Sequence, residues 1–478
     1  MPGSRPQNRL RWRDVYREAE LYKAVVRVYT KPLFHWRKAL ATSTDGRTLY
    51  DLAGGGLRSL DRLERALRRE EFRFRPAVAL HYNFNGKHRT LYVSPWEERI
   101  VDLLLYRLLN RRLHAWFSPR SYAYRARSLG LDGCQSRIAS VLRQAQGPLY
   151  VVKRDIADYF ASVHHEILLA QLAELVDRDD YLFSLLGQRV RFLYCDEAGE
   201  HAAERGIPFG AAVACLLANI YLAPLDREIE RIAGVEYFRY ADDILILSAD
   251  RGAALEAREL LERTLAELRL STKPSHRADL VLSAAEVGDP VFTAAREFRH
   301  LGLLFRAGGA VSLSRDKSRK IQNLFRFAFR RSRRRWRKIS EVEARARSVV
   351  QVAAETAEKG VRNVAILDYY LRHVDDEKQL ARLDRWLAEE TLSQVFGGHK
   401  KGHFGKISFA RLRAMGLPSL VHRRRLILNR RIETPFFIWQ RQRAARAFGG
   451  TVARPAIPLD AERAAFSPVP EATASPRP

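Results

Sequence analysis

The sequence predicts an α+β fold, and three observations carry that prediction. β-prone runs come in pairs around short turns, at residues 78–93 and 235–248. Apolar residues recur at helical spacing before, between and after them, as in Ile100, Val101, Leu104, Leu105, Leu108 and Leu109. Hydrophobic residues make up 46% of the chain and charged residues 29%, enough to bury a core and stay solvated.

Taken in order, residues 1–70 read as a helical N-terminal extension, with loops at Asp45-Gly46 and Gly54–Gly56. Val78, Leu80, Tyr82, Leu91 and Val93 alternate around Asn85-Gly86, a hairpin signal. Pro95 opens a helix. Residues 149–156 form a β-rich run, followed by a helix carrying Leu168, Leu172 and Leu175. Residues 211–232 read as one buried helix, 235–248 as a second hairpin, and 252–269 as an amphipathic helix. The apolar stretch Ile207 to Leu225 contains Pro208, Gly210, Asn219 and Pro224, which favours a core helix over a membrane span. Residues 307–450 read as a basic helical region, and the proline-rich segment 451–478 as a disordered tail.

Lys and Arg total 83 against 55 Asp and Glu, a net charge of +28. An excess of that size calls for a polyanionic partner, and nucleic acid is the first candidate. Arg315 to Lys338 holds twelve basic residues and one acidic residue, with Phe325, Phe327, Phe329 and Trp336 interleaved. Cys134, Cys195 and Cys215 form no CxxC pair, which argues against a zinc site or a disulfide framework and fits a reducing cytosol. The N-terminus is polar and Arg-rich without an apolar core, so neither a signal peptide nor a membrane partner is expected, and the localisation expected is cytoplasmic.

The chemistry centres on Ala241-Asp242-Asp243 between two apolar runs. Adjacent carboxylates beside buried strands repel each other and resist desolvation, and a divalent cation relieves both costs. A solvated hairpin turn also favours Asp, so this pair alone leaves both readings open. Asp155 ends the run 149–154 and lies 87 residues before Asp242, a spacing that lets it come from a neighbouring strand. Such a cluster suits Mg²⁺, which takes one or two carboxylates, waters and substrate phosphates.

The run Phe238-Arg239-Tyr240-Ala241-Asp242-Asp243 resembles the Tyr-x-Asp-Asp hairpin of reverse transcriptases. Lys153 to Phe160 resembles their first catalytic strand, and Gly206 to Gly210 followed by Leu216 to Leu222 resembles the motif between the two. Asn85 to Leu91 resembles the fingers hairpin, Ser121 to Arg125 the segment after it, and Phe298 to Phe305 the primer grip. The ordered matches span roughly residues 70–306 and look most like bacterial group II intron-like, retron-like and defence-associated enzymes.

The resemblance implies a right-hand polymerase, with fingers and palm over 71–306, built of an antiparallel sheet plus helices, and a helical thumb beyond. It implies RNA-directed DNA synthesis with two Mg²⁺ ions, or Mn²⁺ in their place. Asp155, Asp242 and Asp243 are the implied catalytic residues, and the implied metal set adds Ile156 to them. Arg89, Lys87, Phe160, Phe209 and Gly210 are implied to contact the nucleotide, Phe160 as the ring that senses the sugar and Gly210 by allowing close backbone approach. Tyr240 would support the hairpin beside the primer. Lys273 or His276 would protonate the pyrophosphate leaving group. The implied partners are an RNA template or non-coding RNA, a DNA product and dNTPs, with a homo-oligomer or partner protein as further options. No HNH-type endonuclease pattern follows, and a role in antiphage defence is expected from family analogy.

One departure stands out. The family's Gln between the Pro and Gly of the middle motif is Phe209 here. Protein-primed or weakly templated synthesis, and a maturase-like RNA-binding role, therefore stand as alternatives.

Overall fold

The computed structural model describes residues 9–429 except 31–41, 55, 85–86, 126–128, 286 and 360–365. The expected tail at 451–478, the helical continuation beyond 429 and the Asn85-Gly86 turn lie outside the described residues. The chain divides into two compact units, residues 1–311 and 312–478. The boundary falls at 311/312 rather than 306/307, and residues 1–70 belong to the first unit.

The strands of the first unit are β1 (Ala77–Phe84), β2 (Lys87–Val93), β3 (Leu149–Asp155), β4 (Leu193–Asp196), β5 (Gly199–Ala202), β6 (Val235–Tyr240), β7 (Asp243–Ser248), β8 (Ala278–Leu282), β9 (Thr293–Ala295), β10 (Glu297–His300) and β11 (Leu303–Arg306). One sheet runs β6-β7-β3-β8-β9, antiparallel except between β8 and β9. A second runs β2-β1-β4-β5, with β1 and β4 parallel. Strands β10 and β11 form a hairpin around Leu301 and Gly302, both at positive φ, the backbone a two-residue hairpin turn requires.

A helix packs against the first sheet. The helix Arg251–Glu267 starts at Asp250, whose carboxylate accepts from the Ala253 amide at 2.7 Å. It buries Ala254, Ala257, Leu261 and Leu265 beneath β3 and β7, which contribute Val152, Ile244 and Ile246 to the same core. The single helix expected over 211–232 is instead two, Ala214–Tyr221 and Ala223–Ile229. Pro224 lacks an amide hydrogen and cannot continue the ladder, so it starts the second helix instead. Among the described residues no helix is long and apolar enough to cross a membrane.

The N-terminal helices are bound into this core. Trp12 is buried and its indole donates to the Leu67 carbonyl at 3.1 Å, while the Leu10 amide donates to Leu175 O at 2.8 Å. The second unit is helical, with long helices at Arg315–Ser332, Val342–Lys359 and Glu377–Phe396. There the half-buried Arg423 pairs with the buried Asp368 at 2.7 Å. Three of the four aromatics interleaved with the basic run, Phe325, Phe329 and Trp336, are core residues, and only Phe327, 41% exposed, faces outward among them. Helical periodicity turns alternate aromatics inward. The basic run is therefore one charged helix face over an aromatic core.

Candidate active site

The central sheet gathers the three acids at one edge. Strand β3 lies between β7 and β8, so its last residue, Asp155, stands directly opposite Asp243 in the antiparallel register. Such partners have Cα atoms about 4.5–5.5 Å apart. The Ile156 amide then donates to the Asp242 carbonyl at 3.3 Å, which fixes the turn against the end of β3. Ile156 itself is fully buried. Strands β6 and β7 close through the two-residue turn Ala241-Asp242, with Tyr240 paired to Asp243. Ala241 sits at φ +58°, a left-handed conformation that costs a non-glycine residue about 1–2 kcal/mol.

The segment after the helix Arg251–Glu267 completes the edge. The Lys273 amide donates to the Asp155 carbonyl at 2.8 Å, and Ala157 N donates to Ser271 O at 2.8 Å. Lys273 Nζ lies 2.5 Å from Asp155 Oδ1 and 4.0 Å from Asp242 Oδ2. Burial pushes the Asp242 carboxyl above its usual range, with the Asp155 charge adding to the rise and Lys273 and Arg89 opposing it. Burial likewise pushes Asp243 up to about 6, against Lys153 and with the help of Asp155 and Asp242.

Among the described residues no group of three or more His, Cys, Asp and Glu side chains stands preassembled to hold a metal. Asp155 and Asp242 instead share a cation, the Lys273 ammonium. A carboxylate pair that needs a cation fits Mg²⁺, because that ion takes only one or two protein carboxylates and fills its remaining positions with water and phosphate oxygens.

The other expected residues divide. Arg89, exposed on β2, stacks over the Phe209 ring at 5.7 Å. Phe209 meets Phe160 edge-on at 5.5 Å, and Phe160 meets Tyr124 at 6.3 Å. The nucleotide candidates Arg89, Phe209 and Phe160 thus form one contiguous stack. The Lys87 side chain lies outside the described residues. Gly210 is at φ +119°, and a Cβ there would sit 2.6 Å from Leu91 Cδ1 and 3.0 Å from the Tyr92 carbonyl. The close approach it allows is to β2, which the Phe209 carbonyl also engages by accepting from Tyr92 N at 2.9 Å. His276 is exposed and its ring lies 3.0 Å from Ser275 Oγ, so Lys273 is the candidate acid that the fold brings to the carboxylates.

The sequence reading missed a buried network behind the turn. Arg239 is fully buried and chelates Asp226 through Nε at 2.7 Å and Nη2 at 2.6 Å. Tyr237 donates to the same carboxylate at 2.8 Å. Burial by itself would lower the Arg239 pKa, but the Asp226 charge more than offsets it and the pKa is raised. A charged residue between Phe238 and Tyr240, next to the acidic turn, was the available signal, because a buried charge demands a partner.

The profile of the family described as reverse transcriptase (RNA-dependent DNA polymerase) matches residues 85–304. An uncharacterized 91 kDa protein in a cob intron of Schizosaccharomyces pombe is 27% identical over 183 residues, covering 38% of this chain and 22% of that protein. YkfC of Escherichia coli is 24% identical over 244 residues, covering 41% of this chain and 61% of that protein. The chain thus spans less than two thirds of either curated relative. Among solved structures, telomerase from Candida albicans in complex with a fragment of telomeric RNA aligns with a TM-score of 0.42 at 11% identity, over 74% of this chain and 67% of that one. The ordered motifs, the acidic sheet edge and the profile match coincide on the same residues, and residues 85–304 are similar to reverse transcriptases.

Proposed function

We propose that the protein is an RNA-directed DNA polymerase that extends a primer with dNTPs on an RNA template. The observation that supports this most directly is the pairing of Asp155 with Asp243 across β3 and β7, with Asp242 in the turn between β6 and β7. Bound there, two divalent ions would polarise the attacking hydroxyl and stabilise the leaving oxygen of an in-line displacement. Asp155 and Asp242 would hold them, with Asp243 assisting and the Ile156 backbone beside them. Arg89 presents a planar fork suited to the phosphates of the incoming nucleotide. Phe160, braced by Phe209 and Tyr124, would meet the sugar and exclude a 2′-hydroxyl. Tyr240 would support the primer end. Lys273 would leave Asp155 and donate its proton to the pyrophosphate as the bond breaks.

The test is to sequence the product made with a defined RNA template. Complementary DNA, absent with Asp242→Ala, is the expected result. Product unrelated to the template would favour the second reading, weakly templated or protein-primed synthesis. That reading draws its support from Phe209, an apolar ring in place of the family's hydrogen-bonding Gln. Retained biological activity in Asp242→Ala would favour a maturase-like role.

The setting we propose is cytoplasmic antiphage defence with a non-coding RNA, on analogy with defence-associated relatives. Loss of phage resistance in cells carrying Asp242→Ala is the expected outcome, and unchanged resistance overturns it.

A further inference from the structure

Arg239 uses every donor it has. Nε and one Nη2 hydrogen bind Asp226, and the second Nη2 hydrogen reaches Ser121 Oγ at 2.9 Å. Nη1 donates to Asn219 Oδ1 at 3.1 Å and to the Ala241 carbonyl at 3.3 Å. A guanidinium has five N–H groups in a fixed plane, and here five acceptors meet them. Four of those acceptors come from helix Ala214–Tyr221, helix Ala223–Ile229 and Ser121. The segment around Ser121 is itself tied to β6, since Tyr122 N donates to Arg239 O at 2.8 Å and Arg239 N donates to Arg120 O at 3.0 Å.

The fifth acceptor has a different consequence. The Ala241 carbonyl belongs to the peptide that joins Ala241 to Asp242. Its orientation decides where the Asp242 side chain leaves the turn. Ala241 is held at φ +58°, where an alanine does not rest unless its surroundings hold it. Stability alone does not call for this arrangement, because an apolar pair of similar volume often replaces a buried ion pair at little cost.

We propose that Arg239 is a positioning residue of the active site, which fixes the Ala241–Asp242 peptide and so aims the Asp242 carboxylate. The role rests on the polymerase reading above. It links the helix that follows the Gly206–Gly210 motif to the acidic turn through one rigid group. Lysine cannot substitute, because a single ammonium has three donors and no plane.

The test compares Arg239→Lys, Arg239→Met and the pair Arg239→Met with Asp226→Leu, which leaves no unpaired buried charge. Thermal unfolding reports folding, single-nucleotide extension gives kcat and the KM for dNTP, and Mn²⁺ titration of the nucleotide-free protein reports the carboxylates. In the folded variants kcat is expected to fall about 10²-fold, the size that follows from a misplacement of about 1 Å. The KM for dNTP stays within about threefold, and Mn²⁺ affinity drops. The double variant is expected to regain thermal stability without regaining kcat. A double variant with wild-type stability, kcat and Mn²⁺ affinity overturns the assignment. So does a chain that fails to fold in all three, which makes Arg239 a folding residue only. Wild-type protein that makes no DNA would sink the polymerase reading instead, and the Mn²⁺ comparison would still decide the role of Arg239.

Discussion

Asp155 and Lys273 make opposite demands on the same few ångströms. The ammonium lies 2.5 Å from the Asp155 carboxylate, so an ion that binds there must displace it. Lys273→Met is therefore expected to bind Mn²⁺ more tightly than wild type while losing about 10²-fold in kcat, the usual worth of a general acid. Calorimetric Mn²⁺ titration beside single-turnover extension checks both signs; weaker binding would contradict the displacement. The pH dependence follows from the carboxylates. Burial and mutual repulsion raise Asp242, and they raise Asp243 to about 6. An ion takes the charged forms, so Mn²⁺ affinity is expected to fall as pH drops through about 6. The sign for stability is the reverse. A folded-state pKa above the unfolded one favours folding below the unfolded value, and that gain is lost as pH rises through about 6. Ion-free protein should thus be stabilised more by added Mg²⁺ at pH 8 than at pH 5, as thermal unfolding will show. The three acids were legible because they fall in motifs whose order along the chain resembles one family; Asp242 and Asp243 alone also fit a solvated turn. Arg239 was not legible, since its partner Asp226 lies on another element and sequence spacing does not show which faces meet.

At the scale of elements, the two hairpins and the run at 149–156 were read closely because alternation and turn residues are local properties, whereas the short strands β4, β5, β8 and β9 were not read. The hairpin read at 235–248 is β6 and β7 over Val235–Ser248. The helix expected at 252–269 runs Arg251–Glu267. The break at Pro224 was hidden because apolar residues continue at helical spacing beyond it, at Leu225, Ile229 and Ile232, and so read as one helix until the missing amide is counted. Gly210 was read as a site for nucleotide approach, but the body it approaches is β2, a contact between elements far apart in sequence. Gly210→Ala combines a strained φ with a clash against Leu91 and is expected to destabilise the protein by about 1–3 kcal/mol. Urea denaturation measures this, and a change under about 0.5 kcal/mol would contradict the packing account. Phe209→Gln removes the ring between Arg89 and Phe160. It is expected to raise template fidelity if the weakly templated reading holds, and sequenced products decide it.

For the whole molecule, the +28 charge belongs to binding rather than to chemistry. RNA affinity is expected to fall steeply with salt, by about 0.7–0.9 in log K per decade of salt for each phosphate neutralised. Asp242→Ala should leave that affinity unchanged in filter binding, since one acid among so many basic residues contributes little to the field. A matching loss of RNA binding would mean the site and the charged surface act as one. Composition pointed to a polyanionic partner before any motif, yet neither charge nor fold decides whether DNA is made. On the proposed reading, that decision rests with Asp155 and Asp242 sharing an ion at the sheet edge. The direct measurement is extension of a primer on a defined RNA template with Mg²⁺, comparing wild type with Asp155→Asn and Asp242→Asn. Complementary DNA from the wild type and a loss of at least about 10³-fold in each folded variant is the predicted result. Equal extension by all three proteins would contradict it.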